Sequence, residues 1–135
     1  MNVIEFDNQL QQLLTDIPSI KGYVRAVDDN QATKKLTDRR GIQLVAVLPS
    51  YSANGDASRK TDSWNTLFWV IEKADPSQTE AKELEQYRRC EEAIHALKDA
   101  MIESQEEGCS LFWRLEIASI IIEPEYNAFG GWNGY

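Results

Sequence analysis

Three side chains in the second half of the chain, Glu91, His95 and Asp99, have the types and the spacing that could bind a metal ion. Residues four apart lie on one face of an α-helix, so these three could offer carboxylate and imidazole ligands together. The apolar stripe of the same helix passes through Ile94 and Met101, and His95 lies beside that stripe, toward solvent. A solvated charged face is therefore the preferred interpretation, and we predict no metal site.

The two cysteines, Cys90 and Cys109, could form a disulfide or supply a nucleophile. Cys90 falls within a helical pattern that continues to about Glu107, which puts roughly 25 Å between Cys90 and the helix end, too far for a disulfide. We therefore expect two free thiols in a reducing compartment. Neither thiol has a base partner in the sequence pattern, and no glycine-rich phosphate motif occurs, so we predict no catalytic residue and no cofactor.

Composition limits the classes of function that remain. The chain has 135 residues and a formal net charge of −8, which fits one domain, residues 1–135, with a single core. This acidic balance argues against specific nucleic-acid binding, which needs clustered Lys and Arg. No signal peptide or membrane-length apolar run is visible, so we expect a soluble cytoplasmic protein without a membrane partner or a small-molecule substrate.

The sequence predicts two helices from capping residues and prolines at their ends. Asn2 and Glu5 have the spacing of a capping box, apolar residues then recur at steps of three and four, and Pro18 blocks continuation. The second helix is predicted to begin at the Asp75-Pro76 pair, with a cap and a proline at the first helical position, and to run for about thirty residues.

Four apolar runs predict strands: Ile20–Val27, Gly41–Ser50, Trp64–Ala74 and Cys109–Ile122. Together with the helices they predict an α+β domain. It has an N-terminal helix, a mostly antiparallel sheet of about four to five strands, and one long helix before the last long strand. We expect the helices to pack on one sheet face.

Two long polar segments, Asp28–Arg40 and Ser50–Ser63, separate the predicted strands. Each is longer than a dozen residues, whereas hairpin loops normally have two to five, and such loops are usually disordered or bound to a partner. They carry six basic side chains in an acidic chain: Lys34, Lys35, Arg39, Arg40, Arg59 and Lys60. Two interpretations stay open, solvated loops without a role or an oligomer interface that sets basic loops against acidic neighbours.

The chain closes on a segment rich in glycine and aromatic residues, Glu125–Tyr135. Its glycines disfavour a helix, and leaving its aromatic rings in water would be unfavourable. We expect a short hairpin return that lays Phe129, Trp132 and Tyr135 on the sheet or on a neighbouring subunit. Trp132 is the one tryptophan in a segment polar enough to present it to solvent.

The element order, the length and the acidity together resemble those of the tail terminator (tail completion, head–tail joining) proteins of long-tailed phages and prophages. The resemblance implies a non-catalytic virion structural protein that forms a ring, commonly hexameric, and joins the tail to the head connector. Its partners would be itself and other tail or connector proteins, in the bacterial cytoplasm or the assembled virion. The long polar segments would reach neighbouring subunits. The acidic second helix, with nine Asp or Glu against four Lys or Arg from Ser77 to Glu107, would supply ring surface or lumen charge.

A rival interpretation is a small intracellular adaptor or inhibitor-like protein-binding module built on the same sheet. Such a module would be a monomer or a dimer, so the mass in solution separates it from a ring. An enzyme is a third and less favoured hypothesis, because its only histidine lies on a helix surface.

Overall fold

The computed structural model describes residues 2–106, 112 and 114–135. In chain order the elements are α1 (Val3–Leu14), β1 (Gly22–Ala26), α2 (Asp29–Leu36), β2 (Gln43–Val47), β3 (Ser50–Asp56), β4 (Arg59–Asn65), β5 (Phe68–Lys73), α3 (Glu80–Glu106), a 3-10 helix (Ile117–Ser119), β6 (Glu125–Ala128) and β7 (Trp132–Gly134). None of the helices in these ranges combines the length and the apolarity that crossing a membrane would take.

Five strands form the main sheet in the order β1-β2-β5-β7-β6, while β3 and β4 pair separately. β1 and β2 run parallel, with Val24 opposite Val45, and the other pairs described in this sheet are antiparallel. The parallel pair needs a crossover connection, and α2 provides it. The predicted α+β class with a mostly antiparallel sheet is confirmed.

Each face of the sheet has its own core. On one face, α1 and α3 pack against strand residues that include Leu44 and Val70, so the two predicted helices share a face as expected. The opposite face is covered by α2, which contributes Ala32 and Leu36 to a second cluster around Trp132. The fold is therefore a sheet between two helical layers of unequal size.

The N-terminal helix begins as its sequence predicts. Asn2 Oδ1 accepts hydrogen bonds from the backbone N–H of Ile4 at 2.9 Å and of Glu5 at 3.0 Å, and Glu5 Oε2 accepts from Asn2 N–H at 3.0 Å. This reciprocal arrangement satisfies donors that the first turn of a helix leaves free. The capping-box prediction is confirmed, and α1 ends at Leu14, short of Pro18.

The prediction of a loop over 28–40 is wrong, because residues 29–36 form α2. Asp28 Oδ1 caps this helix by accepting from Gln31 N–H at 2.8 Å. Ala32 and Leu36, one turn apart, are its buried residues. Two apolar side chains in eight residues make a weak periodic pattern, so the sequence pattern does not indicate this helix. Tertiary packing supplies the rest of its stability.

The prediction of a loop over 50–63 is also wrong. Residues 50–56 and 59–65 form an antiparallel hairpin, β3–β4, which we call the β-arm (Ser50–Asn65). The predicted strand Trp64–Ala74 is in fact two strands that separate at Thr66 and Leu67. At this junction Val47 N–H donates to the Leu67 carbonyl at 3.0 Å, so the β-arm continues outward from the β2–β5 pair.

The long helix starts later than predicted. Asp75 Oδ1 accepts from the backbone N–H of Ser77 at 2.9 Å and from its hydroxyl at 2.7 Å, which closes a turn instead of capping a helix. These bonds hold the pKa of Asp75 below its usual range. The first residue of α3 is Glu80, and Thr79 Oγ1 accepts from Lys82 N–H at 3.3 Å.

The prediction of a strand over 109–122 is wrong for residues 114–122, which the structure describes. Within 114–122 the backbone forms the 3-10 helix and no strand. Residues 109–111 and 113 lie outside the described residues, so the prediction for Cys109 stays a prediction. Isoleucine-rich composition favours a strand only when a partner strand is available, and β7 already occupies the place beside β5.

The closing segment forms a hairpin, as predicted, although its turn falls later than Glu123–Glu125. β6 and β7 pair across a turn at 129–131, where Gly131 N–H donates to the Ala128 carbonyl at 3.2 Å. Gly130 has φ of 77° in this turn, a value that favours glycine. β7 lies between β5 and β6, so the closing segment is an integral part of the sheet.

Candidate functional site

The helix face with metal-ligand spacing does not form a cluster. His95 is exposed, and its Nδ1 lies 3.3 Å from Lys98 Nζ, which itself lies 3.6 Å from Asp99 Oδ1. A cation beside the imidazole competes with any metal ion. In the part of the chain that the structure describes, no group of three His, Cys, Asp or Glu side chains is placed to hold one.

Cys90 is a core residue without nucleophilic character. Its side chain is fully buried between α3 and the sheet, and its Sγ lies 3.8 Å from the Asn133 carbonyl. Burial raises the pKa of this thiol to about 12, so it stays protonated at neutral pH.

The β-arm contributes no residue to either hydrophobic core. All seven residues of β3 and most of β4 are exposed. An aromatic pair lies near its base, where the exposed ring of Tyr51 and the half-buried ring of Trp64 stack at a centroid distance of 5.2 Å. Tyr51 is 69% exposed, so the pair covers itself but not the core. Sequence alone could not reveal this pair, because its register depends on the hairpin.

Three hydrogen bonds to one carboxylate oxygen hold the turn at the tip of the β-arm. Asp56 Oδ1 accepts from Ser58 Oγ at 2.7 Å and from the backbone N–H of Ser58 and Arg59. These bonds lower the pKa of Asp56, and the hydroxyl of Ser58 contributes most. Gly55 has φ of 96°, and a Cβ there would lie 1.8 Å from the Arg59 carbonyl oxygen. The arm is therefore a defined hairpin with a set register.

The six basic residues singled out in the sequence form two groups. Lys34, Lys35, Arg39 and Arg40 lie on α2 and directly before β2, whereas Arg59 and Lys60 begin β4 at the tip of the β-arm. β2 leads from the first group toward the arm, so the two groups lie toward opposite ends of that strand. The structure does not bring them into one site.

A groove of about 630 Å³ runs beside the edge strand β1, between α1 and α2. Asp7, 9% exposed, lies at its base and accepts hydrogen bonds from Tyr23 Oη at 2.8 Å and from Gln11 Nε2 at 2.8 Å. Tyr23 donates to Oδ1 of this carboxylate and Gln11 to Oδ2, and Arg25 NH1 lies 3.0 Å from the same Oδ2. Burial, followed by the bond to Asp7, raises the pKa of Tyr23. Sequence reasoning missed Asp7, although its spacing from Leu10 places it in the apolar stripe of α1.

The aromatic residues of the closing segment pack within the subunit. Trp132 is only 4% exposed, so the expectation that it is presented to solvent is wrong. Phe129 meets Trp69 edge to face at 5.3 Å, and Tyr135 meets Tyr87 at 6.2 Å. A role for Phe129 and Tyr135 at a subunit interface stays a prediction, since both rings keep part of their surface.

Several basic residues take part in none of the described ion pairs, and four of them lie close together in the chain beside β1. Those pairs join Arg25 with Asp7, Arg88 with Glu85 and Glu92, Arg89 with Glu72, and Lys98 with Asp99. Within the described ranges no acidic partner is within ion-pair distance of four residues beside β1, which we call the basic edge: Lys34, Lys35, Arg39 and Arg40.

Three acidic residues outside the described ion pairs form what we call the acidic edge: Glu83, Glu91 and Glu125. Glu125 is the first residue of the edge strand β6, and the other two lie on α3 near Tyr87 and Tyr135. Tyr87 Oη donates to the Glu125 carbonyl at 2.9 Å, which fixes α3 against β6. Burial raises the pKa of Tyr87, with the nearby charge of Glu83 as the next cause. The pKa of Tyr135 is raised in the same way by burial and by Glu91.

Comparison of the chain with protein-family profiles, with curated proteins and with solved structures finds no match.

Proposed function

We propose that this chain is a non-catalytic structural protein of a phage or prophage particle, similar to a tail terminator, that assembles with its own copies into a ring. The observation that carries the proposal is the β-arm, a long hairpin that leaves the sheet and buries almost none of its surface within the subunit.

An isolated two-stranded hairpin is marginally stable in water. The β-arm has seven residues in each strand, which corresponds to a reach of about 23 Å. Such an element costs conformational entropy to order and gains little from the core. It is explained if a second subunit covers one of its faces, as the arms of assembling proteins require.

The stacked pair of Tyr51 and Trp64 supplies the arm with an anchor. Aromatic side chains that fill a pocket on a partner dominate the affinity of many interfaces. The tip, with Arg59 and Lys60, adds positive charge to a chain whose net charge is −8, which favours contact with an acidic neighbouring surface.

The test is assembly with and without the arm. We expect the full chain to form rings visible by negative-stain electron microscopy, with a mass several times that of the subunit by light scattering. Replacing Ser50–Asn65 by a two-residue Asn-Gly turn should leave a folded monomer, because the arm contributes nothing to either core.

A matched control replaces Asn54 and its cross-strand neighbour Thr61 by alanine, which changes exposed, uncharged arm residues away from the aromatic pair and should leave assembly in place. A full-length chain that stays strictly monomeric at high concentration would contradict the ring and favour the adaptor module.

A further inference from the structure

The two charged edges lie at opposite ends of the sheet. The strand order begins with β1 and ends with β6. α2 packs on β1, and the basic edge belongs to α2 and the residues after it. α3 packs on β5 and β7, and Tyr87, which lies between Glu83 and Glu91 on this helix, donates to the carbonyl of Glu125 in β6. One subunit therefore presents unpaired positive charge at one end of its sheet and unpaired negative charge at the other.

We infer that the acidic edge of one copy docks on the basic edge of the next, head to tail. This inference rests on the proposed self-assembly and adds the surfaces that carry it. Two different patches of the same chain meet in such a heterologous contact, and repetition of the contact closes a ring when the rotation between subunits allows it.

Each end also carries apolar surface that a partner can bury. At the acidic end two large apolar side chains are left in water, Leu84 at 72% and Tyr126 at 76% exposure. At the basic end the groove of about 630 Å³ beside β1 offers the apolar surface of Leu14 and Tyr23 within a polar rim. Apolar side chains at the centre supply affinity, while the charges around them select the partner surface and the orientation.

A second copy fits the basic edge better than nucleic acid does. Residues 21–40 contain six Lys or Arg, but they also contain Asp28, Asp29 and Asp38. The remainder of the chain is strongly acidic, which would repel a phosphate backbone. A protein surface that joins carboxylates with exposed apolar side chains is the partner that these features match, and the chain itself carries one.

The experiment uses two charge-reversed forms of the full chain. The first carries Lys34→Glu and Arg40→Glu, and the second carries Glu91→Lys and Glu125→Lys. These side chains are exposed, and within the described ranges their charged groups make no ion pair. Each form alone should remain monomeric, because like charges then face each other. Mixed in equal amounts, with one form ¹⁵N-labelled, they should assemble into particles containing both in a one-to-one ratio by native mass spectrometry.

A third form, Asp16→Lys with Glu103→Lys, changes the net charge as the second form does but at other exposed positions, and should assemble alone. If the unmodified chain assembles and the reversed forms assemble equally well alone, the head-to-tail contact is overturned while the ring proposal stands. Failure of the mixture to assemble would also overturn it. If the unmodified chain never assembles, both proposals fail.

Discussion

At the scale of single residues, Asp7 is a buried carboxylate that three side chains contact. A carboxylate in the apolar stripe of a helix would be costly to bury alone, and three donors from Gln11, Tyr23 and Arg25 compensate for that cost. The network ties α1 to the edge strand β1. Its role is to hold this edge of the sheet, since the contacts of Asp7 with Tyr23 and Arg25 connect α1 with two residues of β1.

Replacing Asp7 by alanine should therefore lower the free energy of unfolding by about 1 to 3 kcal/mol, because it leaves the half-buried phenol of Tyr23 without its acceptor, while the half-exposed guanidinium of Arg25 returns to water. Urea unfolding followed by circular dichroism measures this loss. Asp16→Ala changes an exposed carboxylate just beyond the same helix and should shift the value by less than about 0.5 kcal/mol. Equal effects of the two substitutions would show that the network contributes nothing.

Cys90 predicts an alkaline loss of stability. Its pKa is raised from 9.0 to about 12 in the folded chain, so the folded state favours the neutral thiol. The stabilisation is complete below pH 9 and declines as pH rises toward 12, because the unfolded chain then releases a proton that the folded chain retains. The slope reaches about 1.4 kcal/mol per pH unit. Unfolding free energies from pH 8 to 11 should fall less steeply in Cys90→Ala than in the unmodified chain, and parallel curves would contradict the assignment.

At the scale of elements, the parts visible in the sequence are those that carry their own local signals. The first helix has a capping box in Asn2 and Glu5, and the covered strand β2 is an unbroken apolar run. α2 has a capping aspartate, Asp28, but no apolar periodicity, and the β-arm lacks both signals. α2 packs on only two buried side chains, and the arm, exposed on both faces, has no alternation of apolar and polar residues. Packing on the sheet stabilises α2, and pairing between its two strands forms the β-arm. A local sequence pattern indicates neither interaction.

The candidate site shows the same division. Lys34, Lys35, Arg39 and Arg40 were identifiable as a basic cluster from their order alone. Their lack of ion-pair partners, and their position across the sheet from Glu91, depend on the strand order, in which the last strand along the chain is inserted beside β5. No sequence pattern of this chain indicates that insertion.

Packing of α2 on the sheet gives a further prediction. Leu36 is almost completely buried, so Leu36→Ala should cost about 2 to 4 kcal/mol in unfolding free energy by leaving a cavity under the helix. Leu84→Ala removes the same atoms from an exposed position and should change the stability of the monomer by less than about 0.5 kcal/mol. Chemical denaturation at a concentration that keeps the chain monomeric distinguishes the two. A small effect of Leu36→Ala would show that residues 29–36 are not docked on the sheet.

The β-arm makes the opposite prediction, loss of assembly without loss of stability. Gly55→Ala puts a methyl group where the Arg59 carbonyl lies and requires a backbone conformation that alanine avoids. The arm's tip should lose its register, while the free energy of unfolding of the subunit changes by less than about 0.5 kcal/mol, since neither core includes the arm. Light scattering should then report monomers. Ser58→Gly, which perturbs the same turn without a steric clash, should assemble more readily than Gly55→Ala.

At the scale of the whole molecule, the arrangement of charge matters more than its total. The chain is acidic overall, yet four basic side chains outside the described ion pairs gather beside β1, while Glu83, Glu91 and Glu125 lie toward the other end of the main sheet. Assembly through such ends should weaken as salt rises. From 0.1 M to 1 M NaCl the screening length falls from about 10 Å to about 3 Å, and we expect the concentration needed for half-assembly to rise by on the order of tenfold. Sedimentation velocity across a concentration series measures it, and an unchanged midpoint would exclude a contact between the charged edges.

The insertion of β7 between β5 and β6 also has a consequence for how the chain is made. β7 is the last of the described strands to leave the ribosome, and β5 pairs with it along Ile71 and Lys73. Until then β5 is an open edge strand, the kind of surface on which nascent chains pair with each other. The described sheet can therefore close only after β7 emerges, and a chain released before Trp132 would leave β5 as an unpaired edge strand. The rate of translation therefore determines how long the unpaired edge of β5 is available for aggregation.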